Sequence, residues 1–203
     1  EGYRRAGERQ GLVLDPERYE EARLGALTTL RRHPELEHDD EIWVAFTEEI
    51  VRGMGGDATG ARECAEDLVR TWEMHDRFTL YDDALPAIAA LREHRIKIGL
   101  ISNGSRDLEA FVVHHALDVD CAGGSRALGR TKPHPEIFLH ALGLLEVEPA
   151  DAAMVGDSYE DDIEGARALG MEAFLLDRDG RHPDEPGRLP SLLALPAALG
   201  LAK

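Results

Sequence analysis

The chain has 203 residues, 43% of them hydrophobic, and a formal net charge of −17. Its length and apolar content suit one α/β domain with a small helical addition, and its acidity argues against nucleic acid or an anionic membrane as a partner. No run of roughly 18 apolar residues marks a spanning helix, no signal peptide is visible, and the distant Cys64 and Cys121 make neither a disulfide framework nor a zinc site, so a cytoplasmic location is expected. The same acidity repels a phosphorylated ligand, so a site for one needs local positive charge or a metal. A monomer or a homodimer is expected.

Residues 1 to about 76 read as helices only. A helical pattern is already under way at residues 3–10, and the expectation is that something precedes Glu1. Asp15-Pro16 marks a helix start, with proline at the first helical position. Tyr19, Ala22, Ala26, Leu27 and Leu30 follow as an apolar stripe, and residues 32–38 read as a polar loop containing Pro34. A second stripe runs through Ile42, Trp43, Phe46, Ile50 and Met54 until Gly53, Gly55 and Gly56 break it, and a third through Ala61, Cys64, Leu68 and Trp72. The stripes predict a small helical bundle whose aromatic residues serve packing.

From about residue 77 the texture changes. Leu85, Ile88 and Leu91 mark a helix, and strand-like runs at 96–101, 120–123, 152–155 and 172–176 alternate with helical patterns at 107–115, 135–144 and 161–169. A last short helix is expected over 191–199. Strands alternating with helices predict an α/β core with a Rossmann-like parallel sheet. The predicted organisation is a helical domain over 1–76 and an α/β core over 77–203.

Three strand ends carry chemistry-bearing residues, and in a parallel sheet all strands end on one face. The first reads Ser102-Asn103-Gly104. Its hydroxyl and the following amides can meet an anion, although such a turn can equally be only a cap. The second is Lys132-Pro133-His134-Pro135. Lys132 stands before a proline, which favours an extended backbone, and Pro135 opens the next helix. Only Lys97, Lys132 and Lys203 occur among many arginines, so a compact ammonium at this place suggests a point charge for phosphate or carboxylate, against the alternative of a solvated loop lysine. The third is Gly156-Asp157-Ser158, with Asp161 and Asp162 close behind. Ser158 and Asp161 have capping-box spacing, and capping also accounts for Glu160. Asp157 alone is open to two readings, a dipole-complementing acid or a ligand for a hard cation such as Mg²⁺.

Taken together, Ser-Asn-Gly, Lys-Pro-x-Pro-x-Ile-Phe and Gly-Asp-Ser-x-x-x-Asp resemble the haloacid dehalogenase superfamily of hydrolases, in the subfamily with a helical cap inserted after the first strand. The resemblance spans essentially the whole chain. It implies that Ser102, with Asn103 and Gly104, binds a phosphoryl group. It implies that Lys132 stabilises charge on the nucleophile and on the transferring group, that Asp157 is a Mg²⁺ ligand, and that Asp162 is the second acid, supporting Lys132 and the metal shell. The implied activity is a Mg²⁺-dependent phosphatase acting on a small phosphorylated metabolite through an aspartyl-phosphate, with the cap choosing the substrate.

The family's nucleophile, the first Asp of Asp-x-Asp-x-Thr, has no counterpart at the expected place within residues 1–203. Asp118-Val119-Asp120 follows no strand, and Asp177-Arg178-Asp179-Gly180 leads only into a final loop. The nucleophile is therefore expected upstream of residue 1, on a central strand, in a longer protein. Two alternatives accompany this reading. One is a 2-haloacid dehalogenase, in which the acid matching Asp157 is typically replaced. The other is a non-catalytic binding protein on the same fold.

Overall fold

The computed structural model describes residues 2–30 and 34–201, so part of the expected 32–38 loop lies outside the described residues. The chain forms two compact units, one of residues 1–78 with 104–106, the other of 79–103 with 107–203.

The first unit is helical: α1 (Gly2–Arg9), a 3-10 turn (Pro16–Arg18) leading into α2 (Tyr19–Thr29), α3 (Asp40–Gly53) and α4 (Gly60–Trp72). Local chemistry sets the starts. The Asp15 carboxylate accepts from the Glu17 amide at 3.0 Å, and Asp39 from the Glu41 amide at 2.9 Å, each satisfying an amide that the first turn leaves orphaned. Ala22, Ala26, Ile50, Val51, Met54, Ala61, Cys64 and Leu68 are buried in one apolar cluster, with Tyr3, Tyr19 and Phe46 packed on it. At Gly53 a Cβ would lie 2.5 Å from the Ala22 Cβ, so the crossing of α2 and α3 requires a residue without one. Leu27 departs from its expected stripe and is 44% exposed, because α2 buries only the narrow Ala22/Ala26 line.

The second unit carries α5 (Ala84–Glu93), β1 (Gly99–Ser102), α6 (Leu108–His114), β2 (Cys121–Gly124), α7 (Ser125–Leu128), α8 (Pro135–Leu145), β3 (Ala153–Gly156), a π-helical turn (Tyr159–Glu164), α9 (Gly165–Ala168), β4 (Glu172–Leu175) and α10 (Leu195–Ala198). Strand β1 starts later than the apolar run suggests. The Ile98 amide donates to the Asp120 carboxylate at 2.6 Å, so a side chain takes the place of a ladder partner there. Leu85 is 48% exposed, since α5 turns Ala87 and Leu91 inward instead.

The strands form two parallel ladders. β1 pairs with β2 from Gly99↔Cys121 to Ser102↔Gly124, and β3 pairs with β4 from Ala153↔Glu172 to Gly156↔Leu175. Among the described residues no ladder joins β1 to β3. The two strands nevertheless share one apolar layer, and Ile98, just before β1, joins Val155 of β3 on the other. Ile101 and Met154 pack on the cluster of Ile137, Phe138, Ile163, Ala166, Ala173 and Leu175. Ile98 and Val155 pack on Leu91, Phe174, Leu189 and Leu195. Each fully buried Phe138, Ile137 or Ile163 side chain contributes about 1.5–3 kcal/mol from removal of apolar surface from water. No helix among the described residues is long and apolar enough to cross a membrane.

Candidate active site

All four strands run parallel within their ladders, and the residues singled out above follow the carboxyl ends of β1 and β3 or precede α8. Ser102 closes β1 and Asn103 follows it, both half-buried. Gly104 groups with the first unit, whereas Ser102, Asn103, Lys132, Asp157 and Asp162 all belong to the second.

Lys132 is 8% exposed, and its Nζ lies 2.6 Å from Asp162 Oδ1. The Lys132–Pro133 peptide is cis. Beyond it, His134 Nδ1 accepts from the Glu136 amide at 3.2 Å and Pro135 occupies the first helical position, so α8 begins where the sequence indicates.

Asp162 is 2% exposed and sits in the π-helical turn. Its second oxygen accepts from the Ser158 amide at 3.0 Å, while Ser158 Oγ accepts from the Asp161 amide at 3.2 Å. The reciprocal cap predicted for Ser158 and Asp161 is thus closed from the far side by Asp162. Gly156 makes room for this carboxylate, since a Cβ there would lie 2.1 Å from Asp162 Oδ2 and 2.3 Å from its Cγ. Each Asp162 oxygen accepts one hydrogen bond, so this acid orients the ammonium of Lys132 while a lone pair on each oxygen stays unspent.

Asp157 differs on each count. It is exposed just past β3, and its carboxylate takes part in no hydrogen bond or ion pair among the described residues, while its charge acts on the Arg178 guanidinium. A hard divalent cation is held through one or two carboxylates while keeping several waters, with substrate phosphate completing its shell. Asp157 fits that donor chemistry. No group of three potential ligands gathers among the described residues, so Asp157 would act with water and phosphate oxygens.

The two Asp-x-Asp segments have structural duties. Asp120 accepts from the Ile98 amide and pairs with Arg92 at 2.7 Å, and this hydrogen bond from Arg92 holds its carboxyl below the usual carboxylate range. Asp177 accepts from the Arg181 and His182 amides at 2.8 and 2.9 Å and pins the final loop.

Sequence reasoning missed two features of this unit. Asn103 Oδ1 accepts from the Lys132 amide at 2.7 Å, and Asn103 Nδ2 donates to the Lys132 carbonyl at 3.0 Å. Arg178 forks onto Asp83 at 2.7 and 2.9 Å with its guanidinium 4.1 Å from the Tyr81 ring centre. The Arg178 hydrogen bonds hold the Asp83 carboxyl below its ordinary range. These partners are 29 and 95 residues apart in the chain, and no local spacing rule joins them.

The sequence matches haloacid dehalogenase-like hydrolases over residues 2–170. It is 34% identical over 154 residues to a phosphoserine phosphatase of Thermus thermophilus, a match covering 72% of this chain and 60% of that protein. It is 31% identical over 180 residues to the N-acylneuraminate-9-phosphatase of Mus musculus, covering 82% and 71%. The chain thus spans about six-tenths of the length of the Thermus relative. Among solved structures it resembles the putative HAD-hydrolase YfnB of Bacillus subtilis bound to magnesium, at 20% identity and a TM-score of 0.76, over 98% of this chain and 89% of that one. It also resembles a HAD phosphatase of Thermococcus onnurineus, at 23% identity and a TM-score of 0.64, over 98% and 86%. At these identities the two structures speak to the shared fold.

Proposed function

Because the chain belongs to the haloacid dehalogenase-like hydrolase family, we propose that the complete protein is a Mg²⁺-dependent phosphatase of a small phosphorylated metabolite. The observation that carries the reading is the pairing of a buried, oriented ammonium with an uncommitted acid. Lys132 is fixed on Asp162 at 2.6 Å, while Asp157, five residues before Asp162, is left open.

The roles follow from the donor inventory. An ammonium has three N–H donors. One of those on Lys132 goes to Asp162, which leaves two for phosphoryl oxygens. The Ser102 hydroxyl offers a further donor, and the amide of Asn103 extends the anion site. Bound Mg²⁺ would supply Lewis-acid charge at Asp157. In the buried surroundings of Lys132 such fixed charges act more strongly than in water and need no reorganisation during the reaction. The attacking carboxylate belongs to an aspartate outside residues 1–203, on a strand lying between β1 and β3. Ile101 of β1 and Met154 of β3 pack on one apolar layer with no ladder between the two strands among the described residues, and this supports that placement. In-line attack breaks the ester P–O bond, releases the substrate's alcohol and gives an aspartyl-phosphate, whose P–O bond water then cleaves to return the carboxylate and inorganic phosphate. The helical unit over 1–76 is proposed as the cap, and a cytoplasmic location goes with this reading.

The test is phosphate release from p-nitrophenyl phosphate by the full-length protein, with and without Mg²⁺, beside Asp157→Ala. Mg²⁺-dependent release that the variant loses is the expected result. Halide release from a 2-haloacid without metal, or no turnover by folded protein, would overturn it.

A further inference from the structure

We propose that the Asn103 side chain is a positioning residue for Lys132, an inference that rests on the phosphatase reading for its consequence but not for its geometry. A primary amide presents one acceptor and two donors. Asn103 spends the acceptor on the Lys132 amide at 2.7 Å and one donor on the Lys132 carbonyl at 3.0 Å. Its Nδ2 also lies 3.5 Å from Asp161 Oδ2. The side chain therefore pairs with the Lys132 backbone as a neighbouring strand would, with donor facing acceptor on both sides. The reversed amide would set N–H against N–H and O against O, so the orientation is fixed by the partner.

This clamp ties the polar ends of two elements that otherwise meet through apolar packing of Ile101 on Ile137 and Phe138. Asn103 directly follows Ser102 at the end of β1, and Lys132 precedes α8. With its backbone held by Asn103 and its Nζ held by Asp162 at 2.6 Å, Lys132 has both ends fixed, and its ammonium is set at a defined place relative to the Ser102 hydroxyl. Those two groups are the proposed phosphoryl donors. A misplacement of about 1 Å in such a constellation costs on the order of 100-fold in rate. Asn103 thus acts through Lys132, with the second hydrogen of its side-chain amide turned toward Asp161.

The experiment is a double-mutant cycle on the full-length protein, with Asn103→Ala, Lys132→Met and the pair, reading the affinity for inorganic phosphate by calorimetry. The expected result is that Asn103→Ala weakens phosphate about tenfold when Lys132 is present, the equivalent of one or two hydrogen bonds. With Met at position 132 it should change affinity by less than about twofold. Equal losses in both backgrounds would overturn the proposal, because Asn103 would then act on the anion without Lys132. Hydrogen exchange supplies a second readout that needs no ligand: the Lys132 amide should be protected in the wild type and unprotected in Asn103→Ala, and unchanged protection would also overturn it. A wild type that binds no phosphate, yet whose Lys132 amide loses protection in the variant, would refute the phosphatase reading and leave the clamp standing. The near-isosteric Asn103→Leu provides the same readings if the Ala variant fails to fold, because it removes both the acceptor for the Lys132 amide and the donor to the Lys132 carbonyl.

Discussion

Adding a single methyl group at Gly156 tests whether the Lys132–Asp162 pair is built on the close approach seen here. A Cβ at this position would lie 2.1 Å from Asp162 Oδ2, where real contacts do not fall below 3.0 Å, so the carboxylate must retreat by about 1 Å. The Asp162 side chain is held at both oxygens, by Lys132 Nζ at 2.6 Å and by the Ser158 amide at 3.0 Å. A retreat of that size stretches both bonds beyond useful length. The two charges stay buried, with side-chain exposures of 10% and 3%, and lose each other. Breaking a buried pair by removing one partner costs about 3–5 kcal/mol; here both charges remain and can settle in part, so the lower end, about 3 kcal/mol, is expected. For a chain of this size that corresponds to a fall in melting temperature of about 6–12 °C. Differential scanning calorimetry of Gly156→Ala against the wild type reads it directly. Gly143→Ala is the control. It lies within α8, where a Cβ meets nothing within 4 Å, and helix propensity alone predicts a small stabilisation of up to about 1 kcal/mol. A Gly156→Ala protein melting within about 1 °C of the wild type would refute the argument that the carboxylate is wedged against the strand end.

Further outcomes follow from the same structure. Asp157→Asn should leave the melting temperature within about 1 °C of the wild type, because its carboxylate makes no bond among the described residues, while calorimetric Mg²⁺ binding disappears; a large loss of stability would show that the acid is structural. Asp83→Asn should flatten the acid limb of the stability curve. The Asp83 carboxyl is held low by Arg178 in the folded state, so its contribution is complete above the unfolded carboxylate value of about 3.9 and is lost as pH falls through the lower folded value. Urea midpoints from pH 5 downward check this, and an unchanged slope in the variant would contradict it. Phe138→Ala should cost about 3–5 kcal/mol in urea unfolding, because the ring is 1% exposed in the cluster with Ile137 and Ile163, and the emptied space can close only in part.

Much of this protein is written in short-range chemistry. Asp15, Asp39, Asp107 and Ser158 each cap the turn that follows them, and Pro135 opens α8, because an orphaned amide is satisfied by whichever oxygen stands two or three residues away. The four strands fall on their apolar runs, and Ser102, Asn103 and Asp157 lie at strand ends as expected, whereas Lys132 lies not at a strand end but beyond α7, just ahead of α8. Other features depend on partners that no local pattern connects. Whether Leu27 and Leu85 face in or out depends on which neighbouring helix arrives, and the small Ala22/Ala26 and Ala87/Leu91 faces are chosen in their place. That Asp162 is spent on Lys132, that Asp157 stays open, and that the Asn103 amide grips a backbone 29 residues away are all results of the packed chain. The sequence by itself determined most of the elements, though not α7 or the π-helical turn, and the kinds of chemical group at their ends, because these depend on hydrogen bonds and side-chain periods spanning a few residues. Only the tertiary structure decided which group holds which, because pairing of buried polar groups is settled by what else is desolvated beside them.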